Sequence, residues 1–224
     1  MKRRQERRRC IQVNDGDLEK IIKEAKEKGK KRNFTQSIDL AINTKQIDLK
    51  KPENKFTEEI PLPKGRGKDL KIAVIGDSLV VKSKGIADGL INEKALTKLE
   101  KDKKELKKAM NEYDFFIAEA PFMLRIGKSL GKFMAPRGKM PKPLPPQADP
   151  APLIARLKNT TRASLKGNSA IHCSIGTEKM PEEDIISNFH AVMQAIEKKF
   201  PSGKNNIKSV YIKTTMGPVI KINY

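Results

Sequence analysis

The sequence predicts an α+β domain assembled from both ends of the chain, with an α/β domain inserted between its halves. Three observations predict it. Residues 15–63 and 160–224 each combine an amphipathic helix with segments of alternating polarity. The middle holds two short continuous apolar runs, KIAVIGD (71–77) and DFFIAEA (114–120), the mark of strands buried on both faces. A double-glycine stretch, KGRGK (64–68), and a proline-rich stretch followed by a short helix bracket that middle. The resulting division is a basic arm at 1–14, a discontinuous domain at 15–66 and 157–224, and an inserted domain at 67–156. Two connections between the domains suit hinge opening, with Gly65 and Gly67 as the hinge residues.

Each element follows from its residues. Leu18, Ile21, Ile22 and Ala25 share one helical face, with Asp17 as N-cap and Gly29 as stop. In NFTQSIDLAI the period changes: Ile38, Leu40 and Ile42 alternate as in a strand. A turn at Pro52–Asn54 leads into a second strand around Thr57–Leu62. After the glycines and the first apolar run, helices are expected around 82–90 and 93–111, then the strand DFFIAEA and a helix over 121–132. Seven prolines in 136–152 make a stiff loop that cannot join the centre of a sheet. A short helix over 152–159 and a strand over Ser169–Ile175 follow.

The strongest helix is 181–200. Pro181 suits N1, three acids suit the positive end of the helix dipole, and Ile185, Ile186, Phe189, Val192, Met193 and Ile196 form the buried stripe. His190 lies beside that stripe and reads as structural. The chain closes as strand, break, strand, with the break at TTMGP (214–218). A plain turn needs no Met, so that bend invites a binding role.

Composition narrows the function. An excess of 47 basic over 27 acidic residues gives a net charge of +20, which points to a polyanion partner. No stretch approaches the roughly 18 apolar residues of a membrane span, and no signal-peptide core follows the basic start, so a cytoplasmic, membrane-free protein is expected. The first nine residues carry six basic residues. They read as a disordered arm, as an RNA-touching tail, or as an over-long start before Val13. Cys10 and Cys173 form no disulfide framework, and with only His172 and His190 beside them no metal or other cofactor is expected. Cys173 reads as a small buried strand residue.

Gly127–Ser129 spell the tail of a phosphate-binding loop, but the required earlier Gly is Phe122 and the stretch is helical. The single Gly after KIAVI is not a dinucleotide fingerprint. PRGK (136–139) is either a phosphate-holding loop or a plain turn. No catalytic set assembles, so no enzyme is expected. With no Trp and few other aromatics, RNA would be bound by shape, backbone and a few close contacts instead of a stacking sheet.

The segments KKRNFTQS (30–37), LPKGRGK (62–68), KIAVIG (71–76), DFFIAEA (114–120), APRGKMPKP (135–143), SAIHCSIG (169–176) and SVYIKTTMGP (209–218) occur in order. Together they closely resemble the large-subunit ribosomal stalk protein of the L-one family, in its archaeal form, across nearly all of 15–224. The resemblance implies two domains, the inserted one Rossmann-like. It implies partners: large-subunit rRNA at a mobile stalk of the large ribosomal subunit, the exit-site tRNA whose release it assists, and the protein's own-operon mRNA, whose translation it represses. It implies no enzyme activity, and the sequence gives no sign of a stable homo-oligomer. The RNA-binding residues carried over are Lys31, Arg32, Asn33, Phe34 and Ser37 at the first strand, Ser209, Thr215, Met216 and Gly217 at the last hairpin, and His172 near the same surface. Bacterial members usually carry Lys where this chain has Asn33, which shifts that phosphate contact to Arg32. The alternative is a free-standing regulatory RNA-binding protein outside the ribosome.

Overall fold

The computed structural model describes residues 15–29, 32–49, 51 and 54–222. The expected arm at 1–14, Lys31, and Pro52 of the expected turn lie outside the described residues. Along the chain come α1 (Asp15–Glu27), β1 (Ser37–Thr44), β2 (Phe56–Pro61), β3 (Ile72–Ile75), α2 (Ser78–Lys82), β4 (Gly89–Ile91), α3 (Glu93–Lys101), α4 (Lys103–Glu112), β5 (Phe115–Glu119) and α5 (Ala120–Ser129). Then follow α6 (Gly131–Met134), β6 (Lys142–Leu144), α7 (Ala151–Lys158), β7 (Thr160–Leu165), β8 (Ala170–Thr177), α8 (Glu182–Lys199), a short 3-10 helix (Gly203–Asn206), β9 (Ile207–Thr214) and β10 (Ile220–Ile222). These form two compact units: the described residues up to Lys68 with those from Asn159 onward, and Asp69–Lys158.

In the first unit a four-stranded antiparallel sheet, order β10-β9-β1-β8, lies beside a two-stranded one, β2-β7. Period-2 alternation decides its faces. Ile38, Leu40 and Ile42 of β1 and Val210 and Ile212 of β9 are buried, together with Leu18, Ile22 and Ala25 of α1 and the apolar stripe of α8. All six predicted stripe residues of α8 belong to this core. Pro181 is the N-cap of α8 and not its N1 residue, because its extended ψ of 148° sets it outside the helix. Asp17 likewise falls in the first turn of α1, which starts two residues earlier. Lys26 ties the end of α1 to the start of α8, donating to the Met180 carbonyl and to Glu182 at 2.7 Å each.

The second unit is a parallel sheet, order β4-β3-β5-β6. Its continuous apolar strands serve two cores. Ala73, Ile75, Phe116 and Ala118 pack with α3, α4, α5 and α6, while Ile72, Val74, Phe115 and Ile117 pack with α2 and α7. Two sequence expectations need correction here. The helix expected around 82–90 ends at Lys82, and a strand begins at Gly89. The helix expected over 93–111 is two helices, broken at Asp102, whose extended backbone (φ −101°, ψ 97°) caps both. The proline-rich stretch does contribute three residues to the sheet. They sit at its edge, where Pro143 sacrifices no central ladder bond.

Candidate nucleic-acid interface

The bend between β9 and β10 is anchored to the start of β1. Thr215 N–H donates to the Ser37 carbonyl at 3.0 Å, and Ser37 N–H donates to the Thr215 hydroxyl at 3.1 Å. The Met216 N–H donates to the side-chain carbonyl of Gln36 at 3.1 Å. Gln36 is buried, and its own N–H is held by Glu178. A turn closes at Gly217, whose N–H donates to the Thr214 carbonyl. The bend is thus tied to the start of β1, yet large apolar side chains on and beside it are exposed: Phe34 by 52%, Met216 by 56% and Val219 by 60%. Burial is available to none of them, so contact with a partner is the remaining way to remove them from water.

From the bend, the open face of the large sheet extends as three rows set by register. Asp39 lies between Ser174 and Lys213, Ala41 between His172 and Tyr211, and Asn43 between Ala170 and Ser209. An extra residue on β8, Ile175, makes a bulge opposite Ile38 and Asp39. Arg66 and the β7 residues Thr161 and Arg162 flank this face, closing a groove of about 720 Å³. Arg162 is paired with Glu59 at 3.4 Å. Arg66 Nε is buried without a hydrogen-bond partner. The Asp39 carboxylate has no hydrogen-bond or ion-pair partner among the described residues. Burial pushes its carboxyl above the ordinary value, and Lys213, Arg66 and His172 pull the other way. Cys173, buried behind the face, is pushed up to about 12 by desolvation, so it stays an inert thiol.

The ribosomal protein L1p/L10e family profile matches residues 22–218. The chain belongs to the ribosomal protein L1p/L10e family. It is 44% identical over 209 residues to the large ribosomal subunit protein uL1 of Methanothermobacter thermautotrophicus, covering 92% of this chain and 98% of that one. It is 46% identical over 211 residues to the uL1 of Thermoplasma acidophilum (94% and 97%) and 47% over 211 to that of Pyrococcus abyssi (92% and 96%). Membership places the chain among ribosomal proteins and not among enzymes.

The structure gathers some of the expected family contacts and spreads others. Arg32, Asn33 and Phe34, all exposed, precede β1, and Ser37, Thr215, Met216 and Gly217 meet at its start. His172 stands midway along the open face, and Ser209, which accepts a hydrogen bond from Asn43 at 3.2 Å, stands at its far end. Six residue steps along β1 lead from Ser37 to Asn43, about 20 Å of extended strand. Asp39, Tyr211 and Lys213 escaped sequence reasoning, although their signal was present: they are the polar half of the alternation whose apolar half defined the strands. Arg66 and Arg162 carry no such signal.

Other motifs resolve structurally. PRGK is a turn whose Lys139 donates to the Met110 and Tyr113 carbonyls, at 2.8 and 2.7 Å. Gly127 to Ser129 lie inside α5, and Ser129 bonds to Glu100. Gly65 and Gly67 take left-handed φ of 70° and 71°. A Cβ at Gly67 would sit 2.6 Å from Met180 Sδ and Thr177 Oγ1, so the bent path is packed onto the first unit. Among the described residues, no cluster of His, Cys, Asp or Glu suits a metal, and no helix is long and apolar enough to cross a membrane.

Proposed function

We propose that this chain is a component of the large ribosomal subunit that binds a folded site on large-subunit rRNA through the bend and the start of β1. One observation carries the reading: Met216 is exposed on a bend tied to Gln36 and Ser37, and Phe34, exposed as well, precedes that tie by two residues. Exposed apolar side chains at a fixed bend suit the sugar and base faces of a shaped RNA. Arg32, Asn33 and Ser37 supply polar contacts, Ser209 and His172 extend them along the sheet, and the +20 charge supplies affinity for phosphates. The relatives named above are large-subunit proteins, which supports the same assignment and a cytoplasmic, ribosome-associated location.

The finer reading is a discontinuous RNA-binding domain with an inserted Rossmann-like domain, moving about the paired crossings at Lys68 and Asn159 beside Gly65 and Gly67. The inserted domain would meet the exit-site tRNA with the exposed Lys94, Lys98, Lys104, Lys107 and Lys108. Repression of the protein's own mRNA follows if that message carries a similar fold. The test is binding across a salt series, comparing this organism's stalk rRNA fragment with a scrambled duplex of equal length. Tight binding to the fragment that survives high salt supports the shaped site. Equal, steeply salt-dependent binding to both would leave only the net charge and sink the assignment.

A further inference from the structure

We infer that the groove on the open sheet face receives the base of one unpaired guanosine of the bound RNA, gripped by the Asp39 carboxylate between His172 and Tyr211. This rests on the bend being an RNA interface. The groove starts where the bend ends, since Lys213 and Val219, on either side of it in sequence, line the groove. Its floor is Ala41, the smallest side chain of its row, and register places one ring on each side of it. A planar base seated on that methyl has an aromatic wall on both flanks, the usual setting for an unstacked base.

Asp39 chooses the base. It is the next residue of β1 on the same face, about 7 Å along the strand from Ala41. An ionised carboxylate only accepts hydrogen bonds, and this one has none among the described residues. Among the four RNA bases, only guanine sets two donors side by side, N1–H and N2–H₂, to meet both oxygens of one carboxylate. Adenine and cytosine offer a single amino group beside an acceptor, and uracil sets carbonyls against it.

Charge settles the rest. A bare carboxylate facing RNA would repel it. Here Arg66 and Lys213 line the groove with Asp39, and the buried Arg66 Nε still lacks a hydrogen-bond partner. The phosphate of the same nucleotide falls to Arg66 and Lys213 while the base falls to Asp39. At about 720 Å³ the groove accommodates one nucleotide.

The experiment measures binding of the full chain to the organism's stalk rRNA fragment by fluorescence anisotropy. The proteins are wild type, Asp39→Asn and Met216→Asp, each checked by thermal melting. The RNAs carry inosine, which lacks N2–H₂, in place of each unpaired guanosine in turn. Asp39→Asn should weaken binding about tenfold or more, the scale of a bidentate base contact. One inosine position should weaken the wild type comparably and cost Asp39→Asn nothing further. The inosine series on wild-type protein needs no variant to fold, so it decides the matter even if Asp39→Asn melts early. Unchanged or tighter binding by a folded Asp39→Asn, or an inosine series without effect, would overturn the inference. Met216→Asp separates the two readings: if it alone weakens binding, the bend stands and the guanosine slot falls. A parallel titration with guanosine monophosphate covers the free source of the same chemistry. Saturable binding there, with no inosine effect in the RNA, would assign the groove to a free nucleotide and overturn the RNA assignment.

Discussion

At Gly217 the absence of a side chain has a cause inside the protein. Its φ is not left-handed, so backbone freedom is not the requirement. A Cβ there would overlap the Thr214 hydroxyl, which is buried and unpartnered. Gly217→Ala should therefore cost about 1–3 kcal/mol as an overpacking change. Adding Thr214→Ala should recover most of that in a double-mutant cycle read by denaturant melts. No recovery would mean the crowding lies elsewhere. Met216 behaves oppositely. Being 56% exposed, Met216→Asp should leave the melting temperature unchanged and weaken binding to the stalk fragment by about 1–3 kcal/mol. A large drop in melting temperature instead would show the side chain to be structural. The bend was legible in the sequence because Met, Gly and Pro interrupt β-branched residues. Asp39, Tyr211 and Lys213 were legible only as the unnamed half of an alternation. Arg66 and Arg162 reach the groove from other segments of the chain, a placement that only the packed structure supplies.

At the scale of elements, α8 organises the first unit through one polar residue as much as through its apolar stripe. Asn188 is fully buried and meets three backbone groups: it accepts from Lys64 N–H at 3.1 Å and donates to the Gly65 and Ile175 carbonyls at 2.8 and 2.9 Å. It thereby fixes the glycine stretch to α8 and β8. Asn188→Ala strands a donor and two acceptors, and each orphaned group costs about 1–3 kcal/mol. The measurement is the urea midpoint, with amide exchange at Lys64 rising if the tie is the one lost. The Lys26–Glu182 pair gives a pH signature. Hydrogen bonding to Lys26 leads the causes that lower the Glu182 carboxyl in the fold. Its stabilisation is present above about pH 4.5, the ordinary glutamate value, and fades as pH falls through the lower folded value. Glu182→Gln should flatten that part of the acid limb. An unchanged limb would assign the acid sensitivity to other carboxylates. The apolar stripe of α8 and the parallel strands β3 and β5 were readable because long or continuous apolar patterns admit one reading. The strand TTRASL of β7 was not read at all: it is short, mixed in polarity, and stabilised by its partner β2. The 82–90 error has the same root, since a single turn of helix and a three-residue strand are too short for a period to show.

For the whole molecule, the question is which unit carries RNA affinity. The second unit closes on itself, with one core on each face of its sheet. The first unit also closes without it. Pro61 and Thr160 pair across β2 and β7, and Leu62 N–H donates to the Asn159 carbonyl at 2.8 Å. Gly65 packs against the Asn159 side chain and Lys68 follows it by three residues, so Lys68 stands within about 20 Å of Asn159. A flexible Gly/Ser linker of about eight residues, with a root-mean-square span of about 16 Å, bridges that gap without strain. Joining Lys68 to Asn159 through such a linker should give a protein that melts cooperatively and keeps the bend, the start of β1 and the groove intact. Its affinity for the stalk fragment should stay within about tenfold of the full chain, about 1.4 kcal/mol. The salt slope should fall only by the number of phosphates the lost lysines touched, about 0.9 per contact on a duplex. Isolated Asp69–Lys158 should fold as well, yet bind fragment and scrambled duplex alike. If that half instead retained the preference for the fragment and the joined half lost it, the recognition surface would lie on the parallel-sheet unit, and the exposure of Phe34 and Met216 would need another partner.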